Sequence, residues 1–151
     1  MLNQQLIIHT KLRIEKPAQE VYETIVDPQK MAHYFISQGS GRMESGKDVI
    51  WKFPEFDMDV PICVENTVAD KYISFYWDER DNKHLVEITL EADGSAATIV
   101  SVSEGEEEVD GEGIEWLQRN TEGWANFLAC LKAYLEYGIN LRKGAFDFLK
   151  K

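Results

Sequence analysis

The chain has 151 residues, of which 16 are Lys or Arg and 27 are Asp or Glu, so its formal net charge is −11. The length fits a single domain over residues 1–151, a hydrophobic content of 44% excludes an intrinsically disordered chain, and the excess of acids argues against nucleic-acid binding. The sequence shows no signal-peptide pattern, and no apolar run approaches the length of about 20 residues that a membrane span needs. We therefore expect a cytoplasmic protein with no membrane insertion.

The first third of the chain predicts one strand and two short helices. Residues 6–15 alternate apolar and polar side chains, which is the period of a half-buried strand. Pro17 begins a helix, because its missing N–H costs least in a first turn. Asp27 and Pro28 end that helix, and a second one is expected over 28–35.

The middle of the chain predicts a series of strands joined by turns. A glycine-rich segment, 37–48, precedes them and is either a loop over a pocket mouth or a plain connection. Polar residues 78–82 form one turn, and Asp93-Gly94 forms a tight hairpin turn. The five predicted strands lie near 49–53, 58–69, 72–77, 85–91 and 97–103.

From about Gly111 the apolar period becomes helical and predicts a long C-terminal helix that Gly138 caps. A short tail, 140–151, adds one more helical piece. Consecutive strands with short turns form an antiparallel sheet, and its apolar face must be covered. We therefore predict an α+β helix-grip fold, in which a curved sheet of about six to seven strands wraps around the long helix.

Two parts of the sequence resemble a known superfamily. Residues 13–35, RIEKPAQEVYETIVDPQKMAHYF, are similar to the opening of the SRPBCC, or START-like, superfamily, and most of all to its branch of activators of the heat shock protein 90 ATPase. Gly123-Trp124, followed by Phe127-Leu128, matches the closing signature of that branch. The resemblance covers nearly the whole chain.

The resemblance implies a helix-grip fold with an internal pocket. Members of the superfamily bind lipids, polyketides, hormones or other hydrophobic molecules, and a few are cyclases or aromatases. The eukaryotic co-chaperones of this branch carry a second domain for which 151 residues leave no room. Their chaperone activity is therefore not transferred with the family name, although the resemblance implies a place in a stress response.

Aromatic residues indicate where a ligand would bind. Trp51 and Phe53 share a strand face, Trp124 and Phe127 share a helix face, and the two pairs are expected to meet across one cavity. Plain core packing is the alternative interpretation. Our main hypothesis is a non-enzymatic protein that binds a small hydrophobic molecule without a cofactor. The expected ligand-binding residues are Trp51, Phe53, Met58, Tyr76, Trp77, Trp124 and Phe127.

Other functions have weaker support in the sequence. The histidines lack metal-ligand spacing, no nucleophile motif is present, and a cyclase would need His33 or Tyr76 inside the cavity, so we predict neither catalytic nor metal-binding residues. The two cysteines lie among apolar residues and are expected to be buried and inert. A chaperone-associated or other protein-interaction module, or a homodimer, would use the aromatic tail or the acidic run, 104–115. That run otherwise reads as solvated carboxylates at the start of a helix, and its register does not match a calcium loop.

Overall fold

The computed structural model describes residues 4–77 and 84–150, which contain seven strands and three α-helices. The predicted turn at 78–82 lies outside the described residues. The strands are β1 Gln5–Ile14, β2 Gln38–Gly39, β3 Asp48–Lys52, β4 Val60–Val68, β5 Tyr72–Trp77, β6 Leu85–Ala92 and β7 Thr98–Glu108. The helices are α1 Ala18–Val26, α2 Pro28–Met31, α3 Gly111–Tyr137 and a short 3₁₀ helix, Asp147–Leu149.

All seven strands belong to one antiparallel sheet in the order β1-β7-β6-β5-β4-β3-β2. From β2 to β7, strands that follow each other in the chain also pair with each other, as short connections require. β1 is the exception, because its chain continues through α1 and α2 and the strand pairs with β7 instead. The sheet and the long C-terminal helix confirm the predicted helix-grip fold.

The glycine-rich segment 37–48 differs from the prediction, because it contains the two-residue strand β2. Gln38 and Gly39 pair with the last residues of β3. A Cβ atom at Gly39 would lie 2.7 Å from Cβ of Pro28, so the strand approaches α2 as closely as only glycine allows. Such a short strand depends on this tertiary contact and leaves no alternating pattern in the sequence.

α3 begins and ends as its sequence predicts. The Asp110 side chain accepts a hydrogen bond from the backbone N–H of Gly113 at 2.7 Å and caps the N-terminus. Gly138 ends the helix in the left-handed region, with φ of +66°. α3 crosses the concave face of the sheet and lies closest to β1 and β7. Its buried side chains are mainly Trp116, Trp124, Phe127, Leu128 and Leu131.

α2 is shorter than predicted, because regular helix stops at Met31 rather than near Phe35. The next residues form tight turns in which the N–H groups of Tyr34 and Phe35 both bond to the carbonyl of Met31. The hydroxyl of buried Tyr34 donates a hydrogen bond to the carbonyl oxygen of Thr24, at 3.0 Å. The turn therefore anchors to α1 and directs Phe35 toward the interior face of the sheet.

Two glycines of α3 provide a test of this packing. In Gly113→Ala the added Cβ would lie 1.9 Å from the carbonyl oxygen of Glu108, whereas at Gly123 nothing lies within 4 Å. We expect Gly113→Ala to destabilise the protein by about 3 kcal/mol, because the helix start must shift away from β7. Gly123→Ala should stabilise it by about 1 kcal/mol through helix propensity. Urea unfolding measures both, and equal effects would contradict the close approach.

Candidate functional site

Aromatic side chains fill the wide side of the grip, between α3 and strands β3 to β5. Because α3 lies closest to β1 and β7, only large side chains span the remaining distance to the other strands. Trp77 of β5 lies 6.0 Å from Trp124 of α3 and 5.8 Å from Trp51 of β3, measured between ring centroids. Phe75 contacts the rings of both Trp51 and Trp124. Indole rings from the sheet and the helix therefore face each other, as the sequence predicts.

Phe35 joins the two predicted aromatic pairs. Its ring centroid lies 5.3 Å from that of Phe53, 5.7 Å from Trp51 and 4.8 Å from Phe127. The two pairs thus meet through an inserted ring rather than across an empty cavity. Sequence reasoning placed Phe35 at the end of a helix and missed this position, although an aromatic residue directly after Tyr34 was a usable signal.

The seven expected ligand-binding residues separate into three groups in the structure. Trp51, Trp124 and Phe127 are at most 4% exposed and belong to the core. Phe53 and Trp77 are half-buried and reach the surface beside them. The structure does not bring the other two, Tyr76 and Met58, to this place.

Tyr76 and Met58 lie elsewhere for different reasons. Side chains alternate along β5, so Tyr76 points to the face opposite Phe75 and Trp77 and away from α3. Met58 is 61% exposed and lies before β4, where it lines a separate surface depression with the 54–57 segment and Leu149. Its distance from α3 depends on the path of the loop after β3, which the residue pattern did not predict.

A surface opening adjoins the aromatic cluster. Its volume is about 290 Å³, and one side of it is formed by α3 and the other by β5 and the loop after β3. Its lining consists of Phe35, Phe53, Phe56, Trp77, Arg119, Asn120, Gly123, Trp124 and Arg142. We call this space the aromatic opening.

The C-terminal tail forms one rim of the aromatic opening. Arg142 donates two hydrogen bonds to Glu55, with distances of 2.7 and 3.0 Å, and both side chains are largely buried. The guanidinium carbon of Arg142 also lies 5.7 Å from the ring centroid of Phe53 and 5.0 Å from that of Phe146. This ion pair fixes the tail against the loop after β3. Sequence reasoning missed it, because the partners are separated by 87 positions.

A buried carboxylate lies directly behind the aromatic opening. Glu104 is 1% exposed and stands on the inner face of β7. Its Oε1 atom accepts hydrogen bonds from Nε1 of Trp124 at 2.8 Å and from Nδ2 of Asn120 at 3.2 Å. Both donor residues line the opening. Sequence reasoning did not select Glu104, although it bonds to two residues that line the opening.

The acidic run 104–115 thus does not behave as the sequence predicted. Residues 104–108 extend β7 instead of preceding a helix, because they continue its pairing with β1. Strand alternation then turns Glu104 inward, while Glu107 lies 2.9 Å from Nε2 of His84. The helix cap is Asp110 alone. Only the residues that follow the strand match the expected solvated helix start.

The side chains that the sequence suggested for catalysis do not line the aromatic opening. His33 stacks on Tyr134 at 5.4 Å outside the cluster, and Tyr76 faces the other side of the sheet. Both cysteines are buried, as predicted. Burial raises the pKa of the Cys130 thiol, although the charge of Arg142 opposes this effect, so the thiol is protonated and unreactive at neutral pH.

Across residues 4–77 and 84–150, no three His, Cys, Asp or Glu side chains are grouped so as to hold a metal ion. Over the same ranges, no helix has the length and apolarity to cross a bilayer.

Replacing Trp124 tests whether its ring is part of the core or the wall of an open pocket. The ring is 4% exposed and contacts four other aromatic rings, so Trp124→Ala should cost about 3–5 kcal/mol of unfolding free energy. Trp124→Phe keeps most of the packing and removes the Nε1 donor of Glu104, which should cost about 1–3 kcal/mol. Urea unfolding measures both losses. A loss below about 1 kcal/mol for Trp124→Ala would contradict the core position.

Comparison with known proteins places the chain in a family. The model of the family described as Activator of Hsp90 ATPase homolog 1-like protein matches residues 15–136. The Staphylococcus saprophyticus protein SSP2350, known from a crystal structure, is 31% identical in sequence to this chain. The two structures match with a TM-score of 0.79 over 91% of this chain and 96% of that one. Comparison with curated proteins gives no match.

Two more distant structures share the fold. DynU16, a protein of the dynemicin biosynthetic locus, is 24% identical with a TM-score of 0.76; the match covers 88% of this chain but only 48% of DynU16. The Aha1 dimer from Colwellia psychrerythraea is 16% identical with a TM-score of 0.74, over 88% of this chain and 98% of that one. The family match, the similarity to the staphylococcal protein and the helix-grip fold agree. This chain belongs to the Activator of Hsp90 ATPase homolog 1-like family of START-like proteins.

Proposed function

We propose that this protein binds a small aromatic or otherwise apolar molecule in the aromatic opening, without transforming it. The observation that carries this proposal is the pair of half-buried rings, Phe53 and Trp77, which line a space of about 290 Å³ together with Trp124. Ligand sites are concave and mostly apolar, with few polar groups, and their volumes begin near 300 Å³. This space suits a ligand of about two fused rings.

The surroundings of the opening favour binding over catalysis. The burial-raised pKa of Cys130 removes a thiolate nucleophile from the neighbouring space. Arg142, one of two arginines that line the opening, is engaged with Glu55 and serves to position the tail. A larger depression of about 570 Å³ on the outer face of the sheet is lined mostly by polar residues, including His9, Lys11 and Glu87, and suits an apolar molecule less well.

Binding of 2-methoxynaphthalene, a two-ring apolar probe, tests the proposal. Its addition should shift the Nε1–H NMR signals of Trp77 and Trp124 and leave that of Trp116 unchanged. At about 100 times the dissociation constant it should add about 2.7 kcal/mol of stability. Trp77→Leu should weaken binding at least about tenfold, because the ring forms one wall of the opening. The matched control is Ile50→Ser, which alters an exposed residue on the opposite face of β3.

Two results would contradict this function. One is the absence of any indole shift or stabilisation at saturating probe. The other is equal weakening of binding by Trp77→Leu and Ile50→Ser, which would show that the probe does not occupy the aromatic opening.

A second candidate function is homodimer formation through the tail. Phe148 is 78% exposed, and the next residue, Leu149, lines a surface depression together with exposed Met58. Exposed apolar residues that lie together are typical of interaction surfaces. The Colwellia psychrerythraea structure with the same fold is described as a dimer, which also supports this candidate.

Sedimentation equilibrium tests the second candidate. If the tail forms a dimer interface, the wild type should sediment as a dimer at micromolar concentration, and Phe148→Ser should shift it toward the monomer. Gly111→Ala changes a helix-start residue with nothing within 4 Å and serves as the control. A monomeric wild type would rule out this interface.

A further inference from the structure

We propose that Glu104 makes the aromatic opening selective for apolar molecules that carry a hydrogen-bond donor, such as a hydroxyl group or an amine. This inference rests on the proposed binding function and specifies the class of ligand. It depends on three features of Glu104, which are its place on the sheet, its unused acceptor capacity and its position behind the opening.

Glu104 occupies a position whose nearest neighbours on the sheet are apolar. The inner face of β7 carries Thr98, Val100 and Val102 before it, all buried. Its neighbours across the sheet are Ile8 on β1 and Val86 on β6. A carboxylate in such a row loses its hydration and destabilises the fold unless other groups compensate. Packing alone would favour an apolar residue here, so the acid calls for another explanation.

The hydrogen bonds of Glu104 leave part of its capacity unused. An ionised carboxylate has about four acceptor positions on two oxygens. Both observed donors, from Trp124 and Asn120, bond to Oε1. Among the residues that the structure describes, none donates to Oε2, and no Lys or Arg forms an ion pair with this carboxylate. The second oxygen, Oε2, therefore has acceptor capacity that a ligand could use.

The two residues that hold Glu104 also connect it to the aromatic opening. Trp124 and Asn120 contribute to the lining of that space, and their polar atoms point to the carboxylate behind it. A ligand whose rings lie against Phe53 and Trp77 would place a donor near Asn120, within reach of Glu104. A bond to an ionised acceptor is about twice as strong as a neutral one, so this contact would select among ligands of equal apolar surface.

A pair of probes that differ only in the donor tests the inference. 2-Naphthol and 2-methoxynaphthalene have the same rings, and the second lacks the O–H. The wild type should bind 2-naphthol at least about tenfold more tightly, as expected for a hydrogen bond to a charged group. In Glu104→Gln the preference should fall below about threefold, because the acceptor becomes neutral. This variant keeps an oxygen that accepts from Trp124.

Asn120→Ala is the matched control. It removes one of the two observed partners of Glu104 and retains the carboxylate, so the preference for 2-naphthol should persist. If Glu104 and Asn120 only hold Trp124 in place, Glu104→Gln and Asn120→Ala would each change the affinity for both probes by the same factor. The ratio of the two dissociation constants therefore distinguishes direct recognition of the ligand by Glu104 from a structural role of Glu104 in holding Trp124.

Each other outcome has a defined meaning. Equal binding of both probes by the wild type would overturn the inference and leave the proposed function intact. Binding of neither probe would overturn both. A preference that survives in Glu104→Gln would also overturn the inference. If that variant fails to fold, the ¹³C signal of the Glu104 carboxylate in the wild type decides, because 2-naphthol must shift it and an unchanged signal contradicts the proposed contact.

Discussion

Burial of the apolar stripe of α3 in the concave face of the sheet is the interaction on which the other features depend. The helix carries its tryptophan, phenylalanine and leucine side chains on one side, and each gains about 1.5–3 kcal/mol when it leaves water. The seven-stranded sheet supplies the matching surface only because it is curved. Since α3 lies against β1 and β7, the gap toward β3, β4 and β5 is wider, and aromatic side chains fill it. Aromatic residues are required there for steric reasons, before any question of function.

The same geometry explains why a surface opening lies at this place. Phe35 enters the gap from the turn after α2 and closes most of it, which leaves the interior well packed. The space that remains opens at the surface between Trp77 and α3, where the strands end and the tail begins. The Glu55–Arg142 pair sets the position of the tail and so defines the rim. In this chain a few inserted side chains therefore set the dimensions of the opening.

Polarity at the opening is as informative as its aromatic wall. An acid on the inner face of a sheet is costly, and the strand register places this one opposite two apolar neighbours. Trp124 therefore has two functions, because its ring fills the core and its N–H compensates the carboxylate. If the proposed binding takes place here, such a group would distinguish one ligand from another, since apolar contact alone discriminates weakly.

The sequence by itself determined the local structure. Alternation predicted β1 and the hairpin strands, a helical period with a glycine cap predicted α3, and an aromatic surplus on both elements predicted that tryptophan rings would meet. These features follow from side-chain periodicity, which a single segment contains in full. The positions of Tyr76 and Met58 were harder to predict from the sequence. A shift of one residue along a strand turns a side chain to the other face of the sheet, and the path of a loop decides which surface its side chains reach. Only the tertiary structure decided that Phe35 fills the gap, that Arg142 reaches Glu55 and that Glu104 turns inward. Each of these depends on segments distant in the chain meeting at a given register and distance, and no local pattern encodes such a meeting.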